Sequence, residues 1–278
     1  MVSRLDLNYA GLIPGDVWER KARRICELYA MKLRMTAPRA IEVRYAFPFT
    51  ETIWPMIGLS VAEHAFMVAQ MIVAIYLEFL DLFRDKTIAL EKAESVALHH
   101  DDAEALTGDA ATDVDGVTRA MKDAAEAKSI FRQYQGLVCH SFMRVQHESY
   151  EARESYLSKL VKMMDAVDLV FFAQYCVKNG VGMLARGTNS GEYVLRAFGK
   201  ESIVDKRTHK EIAEYLKDEE VTEVSIATVM YDHSLPRVAS MQCEELTGLF
   251  KLLCAEAFKF PFDDYGLEKL PMDFARLA

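Results

Sequence analysis

Between Ser60 and Phe83 the apolar residues Val68, Met71, Ile72, Ile75 and Leu82 recur at the spacing of one helical face, and His64 stands on or beside that face. A helix carrying such a stripe must bury it against other elements, and here it takes an imidazole inward with it. Ser60-Val-Ala-Glu63 has the form of a capping box, which sets the start of this helix at about Ser60 and its end at about Phe83. The stretch from Ala65 to Leu77 is uncharged for only thirteen residues before Glu78 and Asp81. That is too short to span a bilayer, so the segment reads as a buried helix.

Other segments show the same period. Val17, Ala22, Ile25, Leu28, Tyr29 and Leu33 predict an amphipathic helix over 15–35, with Asp16 as N-cap and Pro38 beyond its end. From Pro38 to Pro55 the pattern breaks into an aromatic-rich ordered loop that holds Arg44 and Trp54. A third helix, from about Lys86 to about Asp102, places Ile88, Leu90, Ala93, Val96 and Ala97 on its face and ends in His99, His100 and Asp101. A helix over about 117–134 and one or two over 140–178 follow, stopped by Asn179-Gly180. Residues 184–192 read as a loop and as the boundary between a core, 1–184, and a helical extension, 185–278, with helices near 207–217, 220–230 and 237–258. With only 13 glycines and 7 prolines in 278 residues, a turn-rich sheet protein is disfavoured and the expected fold class is all-α.

The formal net charge is −9. Residues 1–44 carry nine Lys/Arg against five Asp/Glu, and the remainder carries 24 against 37, so only the first segment is locally basic. This balance argues against an extended nucleic-acid surface and leaves room for a small anionic ligand. The five cysteines, at 26, 139, 176, 243 and 254, form no C-x-x-C pair, so neither a disulfide framework nor a thiolate zinc site is indicated. A reducing cytoplasm is the expected compartment, and neither a leader peptide nor a membrane contact is expected.

The chemistry-bearing residues form the pattern H(x35)HD(x63)D: His64, His100-Asp101 and Asp165, on three predicted helices able to converge on one pocket. Two imidazoles and two carboxylates suffice for an octahedral divalent cation with positions left for water and substrate oxygens. The acid run Asp101-Asp102-Glu104-Asp109-Asp113-Asp115 contains no base, which favours a cation among them. His99 lies one helical step from His100 and reads as support or packing. Asp168, one turn past Asp165, either orients a ligand or rivals Asp165 for its place. His140 and His147 are seven apart and share a helix face, more often a core or surface role than a ligand pair. Lys128 and Lys162 either bind phosphate or neutralise acids.

The chain resembles the HD-domain phosphohydrolases and is most similar among them to the bacterial 5'-deoxynucleotidases. The residues that carry the likeness are Val61-Ala-Glu63-His64, then Leu98-His99-His100-Asp101-Asp102-Ala-Glu104-Ala-Leu-Thr107-Gly108-Asp109 with Thr112, then Glu126-Ala-Lys128, and Val161-Lys162-Met-Met-Asp165-Ala, over about residues 40–180. The resemblance implies an HD-domain helical bundle in which His64, His100, Asp101 and Asp165 bind a divalent metal such as Co, Mn, Zn or Mg. It implies that Glu104 is the acid/base beside the attacking water, and that Asp109 holds the sugar or orients that residue. Arg44, Trp54, Asp109 and Lys128 are the expected substrate contacts. Two departures concern the phosphate-binding surroundings. The family's T-P-x-K is replaced here by Thr112-Asp113-Val-Asp115, and its arginine-tryptophan pair is not intact, since Ile53 precedes Trp54.

The expected activity is release of phosphate from (deoxy)nucleoside 5'-monophosphates. The basic first segment suits a longer phosphate chain, which makes a (deoxy)nucleoside triphosphate triphosphohydrolase the nearest rival. A nucleotide-binding or regulatory HD protein without turnover is the third reading. The partner is a small-molecule nucleotide, and the apolar extension suits either a cover for the pocket or a homo-oligomer surface.

Overall fold

A computed structural model describes residues 16–23, 25–26, 61–83, 86, 88–107, 118–135, 137–187, 193–197, 200–203, 216 and 221–262. Its helices are α1 (Val61–Glu78), α2 (Leu80–Phe83), α3 (Leu90–His99), α4 (Glu104–Thr107), α5 (Arg119–Tyr134), α6 (His140–Ala152), α7 (Tyr156–Lys178), α8 (Ile226–Ala239) and α9 (Glu244–Lys259). Four short strands, β1 (Val181–Arg186), β2 (Tyr193–Ala197), β3 (Lys200–Ile203) and β4 (Glu223–Ser225), lie between α7 and α8. The fold is all-α in class, a helical bundle with a small sheet added.

Caps follow the sequence. Thr118, Ser155 and Ser225 have extended backbones, and their side-chain oxygens accept from Met121 N, Ser158 N and Thr228 N, opening α5, α7 and α8. Arg153 turns left-handed, φ 53°, to end α6, and Gly180, φ +82°, follows the end of α7 as the Asn-Gly stop requires. The helix expected over 60–83 is interrupted at Phe79, and the one expected over 86–102 is the shorter α3.

The central element is α7, apolar nearly all round. Leu160, Val161, Met164, Val167, Phe171 and Cys176 are buried along it. It packs against α1, α3 and α6 on the site side and against α8 and α9 on the other. Each such side chain withdrawn from water contributes about 1.5–3 kcal/mol before entropy is counted. Helix α1 is long and apolar enough to cross a membrane by length and composition. In this fold Met67, Val68, Met71, Ile72 and Ile75 sit in the core. Residues 16–23 and 25–26 are helical, as expected for the first segment, and the Trp18 ring lies 4.9 Å from that of Phe79, tilted by 46°. None of the five cysteines is in a disulfide, and burial pushes the Cys176 and Cys254 thiols up.

The extension departs from expectation. The loop expected at 184–192 begins inside β1, and the sheet runs β3-β2-β1-β4 with every pairing antiparallel. The expected helix at 220–230 is instead β4 followed by the start of α8, and the one at 237–258 is split by a turn at 240–243. The expected helix at 207–217 lies outside the described residues apart from the buried Leu216.

Candidate metal centre

Three elements bring the sequence pattern to one point. His64 comes from the first turn of α1, His100 caps the C-terminal end of α3 with Asp101 in the turn beyond it, and Asp165 projects from α7. His64 Nε2 and His100 Nε2 are 3.1 Å apart. Asp101 Oδ2 lies 3.1 Å from His100 Nε2 and 3.5 Å from His64 Nε2, and Asp165 Oδ1 lies 3.2 Å and 3.9 Å from His64 Nε2 and His100 Nε2. Both imidazoles are buried. His64, His100 and Asp101 alone already form a group able to hold a metal ion.

The opposite ring nitrogens fix the tautomers. His100 Nδ1 stands 2.6 Å from the Ala97 carbonyl, which can only accept, so the proton is on Nδ1. His64 Nδ1 stands 2.6 Å from Oδ2 of Asp168, itself fully buried, and donates to it in the same way. Both Nε2 lone pairs therefore face each other and two carboxylate oxygens. Four acceptors within about 4 Å repel one another unless a cation sits among them. Ligand atoms about 3 Å apart are also what neighbouring positions around a cation with bonds of about 2.1 Å require. The residues fit a divalent metal, which His64, His100, Asp101 and Asp165 would hold.

A second layer braces this set. Lys162 Nζ donates to Asp165 Oδ2 at 2.8 Å and to the Tyr150 hydroxyl at 3.0 Å, leaving Asp165 Oδ1 as the oxygen turned to the histidines. The Tyr150 ring lies edge-on to His100 at 5.4 Å. Burial, then the Asp165 and Asp101 charges, push its hydroxyl well above the ordinary tyrosine value, so it stays protonated. Asp102 accepts from His99 Nδ1 at 2.8 Å and from the Tyr134 hydroxyl. The Asp102 hydrogen bond raises the His99 pKa. His99 is thus tied to the turn and away from the His64–His100 pair.

Glu104 opens α4 and is buried beside the ligand turn, its backbone N–H donating to the Asp101 carbonyl at 2.9 Å. Lys122 Nζ stands 3.6 Å from Glu104 Oε1 and 3.4 Å from Glu126 Oε1. Lys128 is exposed on α5 and lies off the stripe that carries Lys122. Arg44, Trp54 and Asp109 lie outside the described residues. His147 is buried on α6 in a cleft with His99, His100 and Tyr150, while His140 stands edge-on to Phe131 at 5.2 Å. Neither is among the atoms that converge on His64.

Sequence reasoning left two contributors unplaced. Asp168 was legible only as an acid one helical turn from Asp165; its position behind His64 resolves which of the two faces the Nε2 atoms. Lys122 gave no signal at all, because its partner Glu104 belongs to another element.

No curated protein and no solved structure matches the chain. Residues 54–186, a little under half of it, match the family model of the HD domain, and with His64, His100-Asp101 and Asp165 converging inside that span the match supports placing the chain in the HD-domain superfamily, whose members are generally metal-dependent hydrolases.

Proposed function

We propose that the protein is a metal-dependent phosphohydrolase that releases phosphate from (deoxy)nucleoside 5'-monophosphates. The observation that carries the reading is the convergence of two Nε2 atoms and two carboxylate oxygens, each imidazole pinned through its other nitrogen. A divalent cation held by these residues would supply Lewis-acid charge, lowering the pKa of nearby water and offsetting the negative charge of the phosphate. The chain's own residues do the rest. Asp168 and the Ala97 carbonyl hold the rings so that neither rotates away, and Lys162 holds Asp165. Glu104, buried and three residues past Asp101, takes the proton of the attacking water or returns one to the leaving 5'-oxygen. The likeness of Leu98–Thr112 and of Lys162–Ala166 to the 5'-deoxynucleotidases supports the monophosphate, and Arg44, Trp54 and Asp109 are the residues proposed to meet it.

The test is a screen of the purified protein against nucleoside mono-, di- and triphosphates with Mn, Co, Mg and Zn. Inorganic phosphate from dAMP is the expected product. Triphosphate from dATP, with dAMP untouched, would replace this reading by that of a triphosphohydrolase. His100→Gln and Asp101→Asn are expected to lose both bound metal and hydrolysis. Hydrolysis unchanged in either variant would remove the metal centre from the mechanism.

A further inference from the structure

Helix α5 lays a single stripe, Lys122, Glu126, Ser129 and Gln133, along the turn that carries Asp101 and Glu104. The spacing i, i+4, i+7, i+11 keeps these four on one face. Ser129 Oγ donates to the Ala103 carbonyl at 2.5 Å and Gln133 Nε2 to the Asp102 carbonyl at 2.6 Å, so the lower part of the stripe grips the backbone of the turn. Its upper part meets Glu104 with a charge. Lys122 Nζ lies between two carboxylates, 3.6 Å from Glu104 Oε1 and 3.4 Å from Glu126 Oε1, and its side chain is only 17% exposed. Glu104 and Glu126 are 8% and 6% exposed.

A lysine in such a place is not a solvated surface charge. One ammonium serves two buried acids, so substituting Lys122 removes a charge that both carboxylates share. Glu126 reaches Lys122 from one turn along the same helix, a pairing any helix can make. Glu104 comes from a different element, and Lys122 Nζ, 3.6 Å from its Oε1, makes an ion pair with it across the two elements.

We propose that Lys122 is a positioning residue for Glu104: it fixes the carboxylate that handles the proton in the hydrolytic step and thereby sets the rate of that step, not the affinity for substrate. The inference rests on the phosphohydrolase reading above. It also assigns a task to Lys122 in a chain where the lysine of the resembling family's T-P-x-K is replaced by Asp115.

The experiment uses the full-length protein in four forms, wild type, Lys122→Met, Glu104→Gln and the double variant, with Lys122→Arg as the conservative control. In steady-state hydrolysis of the nucleotide that the screen identifies, Lys122→Met is expected to lower kcat at least about 10-fold with KM within about 2-fold, and Lys122→Arg to recover most of the loss. Glu104→Gln is expected to lose about 10² to 10⁴-fold. The double variant should be no worse than Glu104→Gln alone, because a residue that acts through Glu104 has nothing left to act on. Losses that multiply, or a change confined to KM, would overturn the proposal and move Lys122 to the substrate.

A second measurement does not need turnover. Denaturant unfolding of the same four forms, metal-free, should show the two substitutions coupled, with a combined change in the unfolding constant differing at least about 3-fold from the product of the single changes. Independence there sinks the proposal whatever the activity. Should wild type hydrolyse nothing in the panel while the unfolding cycle still shows coupling, the functional reading has failed and the Lys122–Glu104 contact stands. Lys122→Met combined with Glu126→Gln removes one charge of each sign and keeps the test open if the single variant does not fold.

Discussion

Asp168 shows how much of a metal site lies behind its ligands. It accepts from His64 Nδ1 at 2.6 Å, and this contact decides that Nε2 carries the lone pair. Asp168→Asn keeps an acceptor there but removes the charge that strengthens the imidazole as a donor to a cation, and Asp168→Ala removes both. Metal affinity measured by titration calorimetry is expected to fall on the order of 10- to 100-fold for the alanine variant and less for asparagine. Equal affinity in all three forms would show that His64 needs no partner. The four ligand candidates were legible in the sequence because His and Asp at H(x35)HD(x63)D have few reasons to recur on apolar helix faces. Asp168 and Lys122 were not. A carboxylate or ammonium one turn from many others acquires its meaning only from what another helix places against it, and no spacing within its own helix records that.

At the scale of elements, helix α1 was readable from its period and capping box, α5 as a helix over about 117–134, and α6 with α7 as one or two helices over 140–178, whereas the sheet was not. Residues 181–203 hold Gly182, Gly187, Gly191 and Gly199 among short apolar runs, and this punctuation reads as loop. The structure uses one of these glycines for close packing. Gly182 has φ +108°, at an irregularity in the β1–β2 register, and a Cβ there would lie 2.5 Å from Ile226 Cγ2 at the start of α8. Gly182→Ala therefore meets both a strained backbone and a clash with a buried side chain. A loss of about 1–3 kcal/mol in denaturant unfolding is expected, whereas Gly180→Ala, with nothing within 4 Å of its added carbon, suffers only the φ penalty. Helix α8 supplies a pH-dependent term as well. Burial, then the Arg237 charge, lower the His233 pKa from 6.5 to about 4. The unfolded chain thus binds more protons than the folded one between pH 6.5 and 4, so stability falls as pH drops through that window, with a slope of up to about 1.4 kcal/mol per pH unit. Comparing the pH dependence of unfolding in wild type and His233→Leu isolates this contribution. Parallel curves would show that His233 does not titrate differently on folding.

For the whole molecule, a cation at the candidate metal centre would also act as a clasp, because its four ligand candidates come from α1, the end of α3 with its turn, and α7. A cation that binds only when these three are assembled stabilises the folded chain by mass action, by about 2.7 kcal/mol when free metal is a hundredfold above its dissociation constant. Without it, two Nε2 lone pairs and two carboxylates stay close together inside a core that α1, α3 and α7 share. Removal of metal by a chelator should therefore lower the unfolding temperature, and Mn or Co added back should restore it in a concentration-dependent way. The same addition should leave His100→Gln nearly unmoved. The effect should be largest for probes in α1, α3 and α7, and smaller in β2 and β3, which lie at the far side of the sheet from β4 and pair only within it. Hydrogen exchange with and without metal reads this directly. Uniform protection across the chain would mean that the bundle and the sheet unfold as one cooperative unit, and no protection anywhere would mean that these residues hold no cation.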